Sequence, residues 1–77
     1  MDIKQELLDL IVYQTAVDKD LILTKDSWED MGIDSLDALE IMLSVSDKFN
    51  IVIGEEDEDK LLNFEQLLSY IELKLDK

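Results

Sequence analysis

Ser35 stands in the run Gly32-Ile33-Asp34-Ser35-Leu36-Asp37, between a turn glycine and the start of an apolar-periodic stretch. Asp34 is a good helix N-cap, so Ser35 opens a helix whose first N–H groups have no intrahelical partner. An anion esterified to that hydroxyl gains roughly 0.3–1 kcal/mol from the helix N-terminus. Taken alone, a serine in this place reads first as an element that caps or opens the helix.

Other chemistry is scarce. The 77 residues contain no cysteine and no histidine, which removes disulfides, thiolate nucleophiles, Cys/His zinc sites and imidazole acid-base catalysis. Carboxylates are plentiful, but a catalytic pair needs a pocket that separates two pKa values, and these acids lie in charge-rich, solvated stretches. The run Glu55-Glu56-Asp57-Glu58-Asp59 lacks the alternating ligands, central glycine and closing glutamate of a calcium loop. Loose cation binding is expected there, and neither a dedicated metal site nor a catalytic residue.

The chain has 20 acidic and 7 basic residues, a formal net charge of −13. Residues 26–59 hold twelve acids and one base, Lys48, and so carry −11 of that charge. Such a field repels nucleic acid and anionic lipid and attracts basic protein surfaces. With no apolar run of about 18 residues and no basic N-terminus leading into an apolar stretch, the expectation is a cytoplasmic protein without membrane insertion.

A length of 77 residues predicts one domain, 1–77, and 47% hydrophobic residues suffice for a packed core. Without staples such a core supplies about 3–5 kcal/mol of net stability. Ile3, Leu7, Leu10, Ile11 and Gln14 fall on one stripe and predict a helix over 2–15, with Asp2 and Gln5 as a capping box. From Ala16 to Ile33 the period is lost, which predicts a long inter-helix loop pinned by Leu21, Leu23, Trp28 and Met31. Gly32 supplies the turn before the next helix.

The second helix is expected over 35–49. At 100° per residue Ala38, Ile41, Met42, Val45 and Phe49 form a core stripe, while Leu36, Leu39 and Leu43 lie outside it beside Asp37, Glu40 and Asp47. Three leucines rimmed by carboxylates suit a docking surface, and equally a face covered by another element. Ile51-Val52-Ile53-Gly54 reads as a buried connector, Glu55–Leu62 as a short irregular helix, and 64–75 as a last helix. Asn63 and Gln66 form the capping box of that helix, and Phe64, Leu67, Leu68, Ile71 and Leu75 its apolar face. The fold expected is all-α: a small four-helix bundle of three main helices and one short one, with a long loop between the first two.

The stretch Glu29-Asp30-Met31-Gly32-Ile33-Asp34-Ser35-Leu36-Asp37-Ala38-Leu39-Glu40 resembles the acyl carrier protein family, whose signature is an acidic-Asp-Leu-Gly-x-Asp-Ser-Leu segment opening the second helix. Phe49-Asn50-Ile51-Val52-Ile53 with its following acidic run, and Phe64–Leu75, are similar to the family's later helices. The resemblance implies 4'-phosphopantetheine on Ser35, flanked by Asp34 and Leu36. A phosphopantetheinyl transferase would install it from coenzyme A with a magnesium ion, and acyl groups would ride as thioesters on its thiol.

The resemblance further implies a partner-docking face of Leu36, Asp37, Leu39, Glu40, Leu43 and Asp47. That face would meet basic surfaces of acyl-transferring, condensing or ligating enzymes. It also implies an acyl pocket among Met42, Phe49, Ile53, Leu61, Leu67 and Ile71, in a monomer. Ser46, Lys48, Asn50 and Val52 stand where carriers for fatty acid synthesis usually have acids, and Gly54 where proline is common. These departures point toward a specialised pathway: polyketide, lipid-modifying, or aminoacyl- and peptidyl-carrying. Without the resemblance, an unmodified acidic helical module that binds basic partners accounts for the same composition.

Overall fold

The computed structural model describes residues 2–75, which form helices α1 (Ile3–Thr15), α2 (Lys19–Thr24), α3 (Ser35–Phe49), α4 (Glu55–Glu58) and α5 (Phe64–Leu75), with no strand among them. The all-helical architecture is as expected. α1 packs against α2, α3 and α5, and α2 also meets α5. None of these helices is long and apolar enough to cross a membrane.

Asp2 opens α1 by accepting the Gln5 amide at 3.2 Å. The reciprocal half of the box is not made, because the Gln5 side chain donates forward to Asp9 Oδ1 at 2.9 Å. Leu7, Leu8 and Ile11 are buried, Leu10 is half-buried, and Gln14 is exposed rather than part of the inward stripe.

The expected long loop contains α2, which replaces the unstructured reading of 16–33. Asp18 starts it: its carboxylate accepts the Asp20 amide at 2.9 Å and its carbonyl accepts from Leu21 and Ile22. The helix turns one residue fully inward, Ile22, and leaves Leu21 and Leu23 39% and 41% exposed. The loop is therefore pinned by Ile22, Trp28 and Met31, since one and a half turns of helix cannot bury three consecutive side chains.

α3 ends at Asn50, which holds φ 56°, a left-handed conformation that asparagine tolerates. The Asn50 and Ile51 amides both donate to the Ser46 carbonyl, and the Ser46 hydroxyl donates to the Ile51 carbonyl. Asn63 caps α5 by accepting the Gln66 amide at 2.9 Å, and Gln66 Oε1 accepts from Leu62, one residue before the position a capping box would use. Between these helices Ile51 is buried, Ile53 half-buried and Val52 78% exposed.

The buried hydrophobic residues make one cluster, and no polar or charged side chain among the described residues is buried. Cohesion is thus apolar contact. The carboxylates lie outside it, and among the described residues one ion pair forms, Lys48 Nζ to Glu6 Oε1 at 3.6 Å, joining the end of α3 to α1. An exposed pair of this kind contributes at most about 1 kcal/mol.

α1 closes at Ala16, held at φ 60° where a side chain crowds the backbone. Ala16→Gly is expected to stabilise the chain by about 0.5–1 kcal/mol, the strain relieved less the added freedom of the unfolded chain. A urea midpoint that rises at constant slope is the predicted result, and an unchanged or lower midpoint contradicts it.

Candidate functional site

The approach to Ser35 is built by backbone geometry. Gly32 adopts φ 87°, and an added Cβ would meet no atom within 4 Å, so the demand for glycine there is conformational. The Ile33 amide then returns to the Trp28 carbonyl at 2.8 Å, and buried Ile33 anchors the turn. Asp34 follows as N-cap, extended at φ −79° and ψ 175°, with Oδ1 accepting the Asp37 amide at 2.8 Å.

That capping bond occupies the third amide of α3 and leaves the amides of Ser35 and Leu36 at the helix mouth. The Ser35 side chain is exposed. Its hydroxyl therefore stands at the positive end of a 15-residue helix, open to solvent.

A cleft of about 710 Å³ opens beside Ser35. Along α3 it is lined by Ser35, Leu36, Ala38, Leu39 and Met42; Ser27, Trp28, Glu29, Ile33 and Asp34 form the loop side, and Glu58, Asp59, Leu61 and Leu62 the opposite wall. Trp28 joins the two walls. Its indole Nε1 donates to the Leu61 carbonyl at 2.8 Å and its backbone amide to the Leu62 carbonyl at 2.9 Å. Asn63 Nδ2 adds a bond to the Asp26 carbonyl at 3.0 Å. A second groove, of about 510 Å³, runs between α1 and the start of α2 along Leu8, Val12, Tyr13 and Val17.

The expected acyl-pocket residues separate into two groups. Met42 and Leu61 line the cleft beside Ser35; Phe49, Leu67 and Ile71 are buried in the core, with Ile53 packed half-buried against it. Trp28, Ala38, Leu39 and Leu62 are cleft residues that the sequence reading assigned elsewhere or passed over. For Ala38, Leu39 and Met42 a signal existed: they recur at three, four and seven residues from Ser35, on one face of α3.

Across α3 from the core, Leu36 and Leu43 are 71% and 62% exposed and Leu39 is 39% exposed, so no element among the described residues covers them. Asp37, Glu40 and Asp47 are exposed beside them. An apolar strip with a carboxylate rim thus starts at Ser35 and runs down the helix. Near the end of α3, Lys48 is exposed but turned toward α1, where it pairs with Glu6, and Val52 is exposed beyond the helix. Ser46 and Asn50 close the helix end.

Residues 5–71 match the family model described as the phosphopantetheine attachment site. The chain is also similar over nearly its full length to acyl carrier proteins. It is 36% identical to that of Bdellovibrio bacteriovorus, over 96% of each chain. It is 34% identical to that of Campylobacter lari, over 94% of this chain and 95% of the relative, and 34% identical to that of Chlorobium phaeobacteroides, over 90% of each. This chain belongs to the acyl carrier protein family. A phosphopantetheine group is therefore the carrier's prosthetic group, and the residues present fit it: an exposed serine, helix amides free for a phosphodiester, and an apolar-floored cleft within the same site.

Trp28→Phe tests the cleft's construction. Removing Nε1 leaves the Leu61 carbonyl without its donor, and the carrier is expected to lose about 1–3 kcal/mol in urea unfolding. A loss of only a few tenths would contradict a structural role for this bond.

Proposed function

We propose that Ser35 carries the phosphopantetheine arm and that this carrier holds acyl cargo near the cleft walled by α3 and residues 58–62. The observation that carries this reading is the conjunction at Ser35 of an exposed hydroxyl, an open helix N-terminus and the cleft. When bound, the group supplies a thiol on a flexible arm, to which cargo is joined as a thioester. The chain does the rest. The amides of Ser35 and Leu36 face the phosphodiester, Asp34 keeps the helix mouth in shape, and Trp28, Leu39, Met42 and Leu61 offer apolar surface that excludes water from the cargo.

The chain supplies no acid, base or nucleophile beyond the arm, and the chemistry belongs to partner enzymes. Leu36, Leu39 and Leu43 provide the apolar contact for them, while Asp37, Glu40 and Asp47 steer basic surfaces to it. The partners are a phosphopantetheinyl transferase and acyl-transferring, condensing or ligating enzymes, met by a monomeric single domain in the cytoplasm. Phe49, Ile53, Leu67 and Ile71 support the cleft from behind, and receive a longer chain only if the core opens.

The uncharged Ser46 and Asn50 that close α3, and Val52 exposed just past it, favour partners other than those of general fatty acid synthesis. Uncharged side chains at that end weaken attraction to a uniformly basic surface and admit a mixed one. A polyketide, lipid-modifying or aminoacyl pathway meets that description.

Incubation with coenzyme A, magnesium and a broad-specificity phosphopantetheinyl transferase is the direct test. The intact mass is expected to rise by one phosphopantetheine group, and Ser35→Ala to remain unchanged while retaining its helical circular dichroism. No gain in the wild type, or an equal gain in Ser35→Ala, would overturn the assignment.

A further inference from the structure

The wall of the cleft opposite α3 is held by few contacts. α4 has four residues, all acidic, none of them buried, and its N-cap Gly54 provides no side-chain bond. Its last residue, Glu58, and the following Asp59, Leu61 and Leu62 form the cleft wall. Downstream, Trp28 holds this segment through the Leu61 and Leu62 carbonyls. Upstream, the side-chain tether is Tyr70 of α5, whose hydroxyl donates to Asp57 Oδ2 at 2.9 Å, with the Val52 carbonyl farther off at 3.4 Å.

We propose that Tyr70 is a positioning residue: its hydroxyl latches α4 through Asp57, and the latch sets how far residues 58–62 stand from α3 and so how wide the cleft beside Ser35 opens. With no apolar anchor in α4, loss of the bond leaves the helix tethered by backbone alone, and the segment opens locally without unfolding the core. The latch is also protonation-dependent. Burial, then the bond to Asp57 and its charge, hold the Tyr70 hydroxyl above its ordinary pKa, with Glu56 acting in the same sense and the Gly54 amide opposing. The Lys74 ammonium lies 5.3 Å from the ring centroid.

The sign follows from that direction. A group whose pKa is raised by folding stabilises the fold below its unfolded value, near 10 for tyrosine, and loses that contribution as pH rises through the folded value. Above that range a phenolate faces Asp57 and Glu56, and the latch becomes a repulsion. At neutral pH the latch is closed.

The test uses the unmodified chain, so it can fail without touching the assignment of Ser35, on which the functional meaning of the cleft rests. In Tyr70→Phe, hydrogen exchange at the amides of Asp57, Glu58, Lys60 and Leu61 is expected to speed up on the order of tenfold, the effect of one lost bond to a charged acceptor. Acrylamide quenching of Trp28, the sole tryptophan, is expected to increase with it, while α1 and α3 amides keep their protection. Asp57→Asn, which keeps an acceptor oxygen, is expected to lie nearer the wild type than Asp57→Ala. Raising the pH past the tyrosine range should reproduce the quenching increase in the wild type and add nothing in Tyr70→Phe. Unchanged exchange and quenching in Tyr70→Phe, or equal loss of protection across α1 and α3, would overturn the latch.

Discussion

The indole N–H of Trp28 donates to a carbonyl 33 residues away, and the shape of the site depends on that bond. It joins the irregular stretch before α3 to the irregular stretch before α5, neither of which has regular hydrogen bonding to hold it. With the Trp28 amide on Leu62 and the Ile33 amide on Trp28, one residue organises both sides of the cleft and the turn that delivers Ser35. The helices could pack without it. The cleft beside Ser35 would lose the indole bond that ties its loop side to Leu61.

The rest follows from a division between an apolar interior and a carboxylate exterior. No charged side chain among the described residues is buried, so acids can accumulate on the surface without the desolvation cost that a buried charge would bring. Their mutual repulsion is modest in water, about 1 kcal/mol for two charges 4 Å apart. A basic partner relieves it, and does so more strongly at low ionic strength. The exposed leucines then supply contact at short range, beside Ser35.

Much of this was legible in the sequence because it rests on short-range rules. The span of α3, the cap at Asp34 and the positive φ at Gly32 come from three- and four-residue spacing and residue conformational preference; the same spacing set Leu36, Leu39 and Leu43 apart from the core stripe but did not decide whether another element covers them. α2 was not legible: six residues are too few to display a period, and the propensities of Leu21, Ile22 and Leu23 do not say which faces inward. The Gln5 and Gln66 side chains had more than one amide or carboxylate in reach, and local pattern does not choose among them. The division of Met42 and Leu61 from Phe49, Leu67 and Ile71 depends on where Trp28 brings the loop, a long-range contact invisible to periodicity.

The claim most in need of measurement is that cargo on Ser35 lies in the cleft that Trp28 closes. Isotope-edited nuclear Overhauser spectra of the holo-carrier bearing a medium-length acyl chain address it directly. Cross-peaks from the chain's methylenes to the Trp28 indole, the Met42 methyl and the Leu61 methyls are the predicted result. Contacts confined to the Val12–Tyr13–Val17 groove, or an acyl chain with no contacts to the protein, would contradict it.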